Sequence, residues 1–133
     1  MGPSATGRVA LMAIHPVYAE AILDGRKGVE FRKRRLADDI ETVLIYATSP
    51  IQKVVGQFSI SDTKIDTPES IWSAYGAVGI IGYEDFIEYY GDADQAVAFV
   101  VGESVRYERP RPLAELHPAP SIPQSFSYVA ATV

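Results

Sequence analysis

A chain of 133 residues with 47% hydrophobic side chains is long enough to bury one core unaided, and the absence of cysteine excludes thiol catalysis, disulfides and thiolate zinc sites. Twelve basic against seventeen acidic side chains leave a net charge of −5, which repels nucleic acid and phosphorylated ligands unless a concentrated patch overrides the field. His15 and His117 lie far apart in sequence and give no metal signature, so neither a metal nor a cofactor is expected.

Residues 1–7 are small and polar and read as a disordered tail; residues 8–133 read as one domain. Val9 to Ile14 is a buried strand, far too short to span a bilayer and with no charged leader before it, so a cytoplasmic protein without membrane association is expected. His15-Pro16 places proline where a helix begins, and Pro16 to Asp24 carries an apolar stripe of Ala19, Ile22 and Leu23 with Gly25 as its C-terminal cap. Gly28 to Arg34 alternates, with Val29 and Phe31 on one face and Glu30, Arg32 and Arg34 on the other. Thr42 to Ala47 is a second apolar strand closed by the turn Thr48-Ser49-Pro50. Lys53 to Ser61 is a third, in which Gly56 marks a bulge or a close backbone approach.

Thr67-Pro68-Glu69 starts a helix that stops near Gly76, and Tyr83 to Tyr90 forms another that ends at Gly91. An acidic loop follows, then the strand Gln95 to Val101, continued over Ser104 to Glu108 after a break at Gly102. Arg109 to Pro123 holds five of the nine prolines and reads as an extended strap with one helical turn from Leu113 to Leu116. Phe126 to Val129 returns to strand alternation. The sum is an α+β domain of five or six short strands with flanking short helices, closer to a small, partly open β-barrel than to a doubly wound sheet.

Charge along this frame is uneven. From Asp24 to Arg35 six basic residues face two acidic ones, a local +4, whereas the rest of the chain carries −9. Within that stretch, Gly25, Lys27, Glu30 and Arg32 spell G-x-K-x-x-E-x-R, preceded by H-P-x-Y-A-x-A-I-L at His15 to Leu23. It is followed by V-L-I-Y-A-T-S-P at Val43 to Pro50, Val54-Val55-Gly56, and the closing Pro123-Gln124-Ser125-Phe126-Ser127-Tyr128. In these residues the chain resembles the ASCH domain, a branch of the PUA-like superfamily, from Val9 to Val129. The resemblance implies a pseudo-barrel and a motif-lined cleft for RNA or a modified nucleobase. Members of the superfamily read modified bases, serve as RNA-binding modules or, in one small bacterial branch, hydrolyse acetylated cytidine.

The expected function is therefore a nucleic-acid-binding module for RNA or DNA, with a modified nucleoside as one form of ligand. Lys27 and Arg32 would receive phosphate or base acceptors, and Glu30 would accept from an exocyclic amine; the competing reading is a surface ion-pair ladder. Lys33, Arg34 and Arg35 would hold a phosphate backbone, or simply form a solvated loop. Tyr18, Tyr46, Trp72, Tyr75 and Phe126 are stacking candidates, with Tyr46 and Trp72 preferred, although aromatics at such spacings are often core. Thr48, Ser49, Gln124 and Ser125 offer short polar groups to a base edge, and His15 reads as a cap. The alternative is a small hydrolase, acetylcytidine amidohydrolase-like or a ribonuclease. The amidohydrolase branch has a threonine nucleophile where this chain has Glu30, so Lys27 and Glu30 would act on water, or with Ser49 as nucleophile if folding brings it within reach. A third reading gives the acidic face from Glu84 to Asp94 to a protein partner.

Overall fold

A computed structural model describes residues 7–131. Six strands and three helices follow in the order β1 (Arg8–Ile14), α1 (Pro16–Leu23), β2 (Val29–Arg32), β3 (Thr42–Ala47), β4 (Lys53–Asp66), α2 (Pro68–Tyr75), α3 (Tyr83–Tyr90), β5 (Ala96–Arg111) and β6 (Phe126–Ala130). The tail read at residues 1–7 lies, apart from Gly7, outside the described residues. Among those described, no helix is long and apolar enough to cross a membrane.

The strands form one mixed sheet in the order β2-β5-β4-β3-β1-β6, in which β1 and β3 are parallel and the other pairs antiparallel. This corrects the expected barrel: β2 and β6 are the two ends of the sheet and do not pair with each other. Both edge strands are short, four residues in β2 and five in β6, and the Arg32 carbonyl at the end of β2 is taken by Tyr90 Oη of α3 at 2.8 Å. Register shifts at Val54/Gly56, Phe58/Ile60 and Ile60/Asp62 bend the long β4–β5 ribbon.

Strand alternation divides the core. Met12, Ile14, Val43, Ile45, Phe58 and Phe99 pack with Ile22 of α1, while Leu11, Leu44, Tyr46 and Val54 form a separate cluster with Leu113 and Val129. At the β2 end, Val29 and Phe31 join Ala96 and Ala98 of β5 against Ile71 of α2 and Phe86 and Tyr90 of α3. The β4 and β5 strands outrun their sequence signal because their outer halves are exposed ribbon, where no buried face imposes apolar alternation. Gly102 does not break β5: a Cβ there would stand 2.6 Å from Ser59 Oγ, so glycine admits the close approach of β4.

Gly56 is the tighter case. A Cβ would lie 2.4 Å from the Val105 carbonyl and 2.7 Å from Leu23 Cδ2, so strand β5 and helix α1 both close over a position that only glycine can fill. Gly56→Ala is expected to cost about 1–3 kcal/mol through overpacking against backbone that cannot rotate aside. Denaturant unfolding checks this, and a change within a few tenths of a kcal/mol would refute the close approach.

Candidate functional site

The end of α1 begins the site. His15 caps the N-terminus, its Nδ1 accepting from the Val17 N–H at 3.4 Å, as the sequence indicates. At the other end Gly25 takes φ +85°, Arg26 N–H donates to the Ala21 carbonyl at 2.9 Å and Gly25 N–H to Ile22 at 3.2 Å, a Schellman closure. The chain thereby reverses, and Lys27 enters the protein directly ahead of β2. Gly28 N–H then donates to the Val78 carbonyl at 2.8 Å, fixing where β2 starts.

Lys27 is only 3% exposed. Its Nζ donates to the Gly79 carbonyl, stands 3.6 Å from Glu30 Oε1 and lies 4.8 Å from the centre of the Tyr18 ring. Burial pulls its pKa below the ordinary lysine value, against the opposing pull of Glu30. Glu30, 6% exposed, gives Oε2 to Arg32, which donates from Nη2 at 2.8 Å and from Nε at 3.2 Å. Its other oxygen, Oε1, faces the Lys27 ammonium.

Arg32, 8% exposed, uses its remaining donors on backbone and a hydroxyl across the open seam of the sheet. Nη2 reaches the Ala13 carbonyl of β1 at 2.8 Å, while Nη1 reaches Ser125 Oγ at 3.1 Å and the Ser125 carbonyl at 3.4 Å. Tyr90 Oη donates to the Arg32 carbonyl at 2.8 Å from the other side. One guanidinium thus ties the β2 end of the sheet to β1 and to the residue just ahead of β6.

Lys27, Glu30 and Arg32 line a cleft of about 220 Å³ together with Tyr18, Tyr89, His15, Phe31, Ile81 and Phe86. The volume is below the roughly 300–1,000 Å³ of pockets for drug-sized ligands, so it suits one flat ring system. Burial raises the pKa of both Tyr18 and Tyr89, which remain neutral phenols with aromatic faces. A second depression of about 250 Å³ adjoins it, sharing Arg32 and Tyr89 and adding Lys33, Arg34, Gln124 and Ser125.

A family model described as the ASCH domain matches residues 12–108. The chain belongs to the ASCH domain family. It is 30% identical over 125 residues to the large ribosomal subunit protein uL22 of Ureaplasma parvum serovar 3, covering 93% of this chain but 40% of that one. It is 29% identical over 93 residues to an ASCH domain-containing ribonuclease of Zymomonas mobilis, covering 69% of this chain and 63% of the relative. The chain therefore spans less than two thirds of either protein. The crystal structure of ASCH from Zymomonas mobilis superposes with a TM-score of 0.82 at 28% identity, over 91% of this chain and 87% of that one.

The other candidates fall in different parts of this ASCH domain. Tyr46 is 2% exposed and packs with Val9, Leu11, Leu44 and Val54, away from the cleft, because alternation along β3 sends it to the side opposite Ile45. Trp72 sits 5.1 Å from Phe86 and 5.2 Å from Tyr83, ring centre to ring centre, and Tyr75 shares that cluster; neither Trp72 nor Tyr75 lines the cleft. Ser49 is in the exposed turn after β3 and also stands outside the cleft lining. Gln124, Ser125, Lys33 and Arg34 meet in the second depression, whereas Arg35 turns to Asp38 at 3.0 Å. The acidic side chains from Glu84 to Asp94 lie on α3 and the turn after it, most of them exposed. Among the described residues no group of three or more His, Asp or Glu is gathered for a metal ion.

Beyond the sequence reading lie the apolar wall of Ile81 and Phe86, the Gly79 carbonyl and Tyr89. Gly79 supplies a carbonyl, which no side-chain pattern announces. Tyr89, three residues after Phe86 on α3, reaches the cleft from the exposed shoulder of the helix.

Proposed function

We propose that this ASCH domain binds single-stranded RNA by taking one unpaired nucleobase into the cleft between Tyr18 and Tyr89, against Lys27 and Glu30. The observation that carries the reading is the buried Lys27–Glu30 pair set among aromatic rings: a lysine donor and a carboxylate oxygen side by side match the alternating acceptors and exocyclic amines of a base edge. Arg32 acts from behind, holding Glu30 Oε2 so that Oε1 is left to the ligand. A modified base would be read at the same edge.

Fluorescence anisotropy with labelled homopolymeric oligonucleotides tests this. Glu30→Gln is expected to weaken cytosine- and adenine-containing strands by about 1–3 kcal/mol while sparing uracil strands, which lack the exocyclic amine. Equal weakening of all of them would remove Glu30 from base reading.

The likeness to a ribonuclease favours a second reading, cleavage of the bound strand. The relevant chemistry is attack of the ribose 2′-oxygen on the adjacent phosphorus, with its proton passing to a carboxylate such as Glu30 and the 5′-oxygen leaving with a proton from an ammonium such as Lys27. The amidohydrolase reading is less well supported, since Ser49 is absent from the cleft lining and the nucleophile position is Glu30. Running the anisotropy samples on a denaturing gel with chelator present distinguishes binding from cleavage.

A further inference from the structure

The second depression differs in kind from the cleft beside it, and we infer that it is a phosphate shelf, so that the ligand is a phosphodiester-linked nucleotide and not a free nucleoside. The inference rests on the cleft being a base site and names what lies next to that base. Apart from the Tyr89 ring, the groups lining the shelf can donate: Lys33, Arg34, the Gln124 amide and the Ser125 hydroxyl, with Arg32 behind them. Ser125 Oγ accepts from Arg32 Nη1 at 3.1 Å, which leaves its own O–H to donate. Among the described residues no carboxylate joins the lining, and Glu30, two positions before Arg32 on the same strand, is already held by that arginine at 2.8 Å.

Lys33 and Arg34 are exposed and, among the described residues, unpaired with any carboxylate. Each is instead placed by an aromatic ring: Lys33 Nζ is 4.9 Å from the Tyr89 centroid and Arg34 Cζ is 5.0 Å from that of Phe126. A guanidinium on a ring face keeps its N–H fork free in the plane, the geometry in which arginine receives phosphate oxygens. Tyr89 closes both depressions, so base and phosphate would lie on either side of one ring, a span that a single nucleotide covers. In a protein of net charge −5, two such cations beside a base-sized cleft select where a polyanion can land.

The basic run thus divides by partner. Arg35 is neutralised by Asp38 and lines a different depression with Leu36 and Ile60. That gives an internal control, because Lys33→Ala and Arg35→Ala each remove one positive charge from the same short loop.

Titration calorimetry with the four ribonucleosides and their 3′- and 5′-monophosphates, and anisotropy with RNA and DNA strands of about eight nucleotides, test the shelf. Monophosphates are expected to bind about tenfold tighter than nucleosides. Lys33→Ala/Arg34→Ala is expected to remove that advantage and to flatten the slope of log affinity against log salt by roughly 0.7 for each phosphate no longer neutralised. Arg35→Ala is expected to change affinity less than about twofold. Equal affinity for nucleoside and monophosphate, or equal weakening in Lys33→Ala and Arg35→Ala, would overturn the shelf and leave the base cleft standing. Failure of every nucleoside, nucleotide and strand to bind would overturn both. Tighter binding of the RNA strand supports the shelf as part of an RNA site, whereas tighter binding of the DNA strand keeps the shelf and overturns RNA as its source of phosphate.

Discussion

Arg32→Ala is expected to lower the unfolding free energy by about 3–5 kcal/mol and to abolish ligand binding, although Arg32 itself need not touch a ligand. Removing the guanidinium strands three sets of partners at once. Glu30 Oε2 loses both of its donors, the Ala13 carbonyl of β1 loses its bond at 2.8 Å, and Ser125 loses the anchor of its hydroxyl at 3.1 Å. The largest penalty is the carboxylate, which is 6% exposed and would keep only Lys27 at 3.6 Å. Arg32→Lys should rescue little, because a single ammonium cannot span Glu30, Ala13 and Ser125 together. The charge argument separates from the seam argument in a double substitution: Arg32→Leu with Glu30→Leu removes the stranded carboxylate and should recover much of the loss, while the unclosed seam keeps the remainder. Equilibrium unfolding of these variants beside the wild type measures both terms, and an Arg32→Ala cost below about 1 kcal/mol would show that the guanidinium neither closes the sheet nor sustains Glu30.

Arg32 also shows where sequence reasoning reaches and where it ends. Alternation along β2 places Val29 and Phe31 in the α2–α3 core and Glu30 and Arg32 in the cleft, although the Phe31 ring also reaches the cleft wall. The helix caps at His15 and Gly25 and the tight position of Gly56 are equally legible, because each depends on residues a few positions apart or on a glycine inside a strand. What alternation cannot reveal is distance across the fold. Arg32 meets Ser125, 93 positions away, and Lys27 meets Gly79, 52 positions away, so the partners that hold these two side chains in the cleft are not visible along the strand. The stacking candidates mislead for a related reason: Tyr46 and Trp72 sit in strongly patterned elements, and strong pattern is the mark of core, whereas Tyr89 stands on the exposed shoulder of α3. The barrel expectation fails because closure depends on whether β2 and β6 meet, again a matter of distance across the fold that neither strand's own pattern carries.

Lys27→Met is expected to weaken RNA binding by about a hundredfold or more and to cost about 1–3 kcal/mol of stability near neutral pH, less than Arg32→Ala, because the Gly79 carbonyl loses its donor and Glu30 Oε1 its ammonium while Oε2 keeps both Arg32 bonds. Methionine matches the length of the lysine stem and fits the apolar surround of Phe31 and Tyr18, so packing is largely kept. Burial penalises the charged form of the ammonium more than Glu30 compensates, which is why its pKa lies below the ordinary lysine value. The pH dependence carries the sign. Between the depressed folded-state pKa and the ordinary 10.5, the unfolded chain binds the proton that the folded chain has released, so stability from this group rises with pH through that window. Wild type should therefore gain on Lys27→Met as pH climbs toward 10.5, and the two should run parallel at lower pH, where lysine is protonated in both states. Chemical unfolding at a series of pH values reads this directly. The ammonium is held by the Gly79 carbonyl, Glu30 and the Tyr18 and Phe31 rings, so its two roles separate by measurement: a Lys27→Met protein that binds RNA as before would make Lys27 a structural strut.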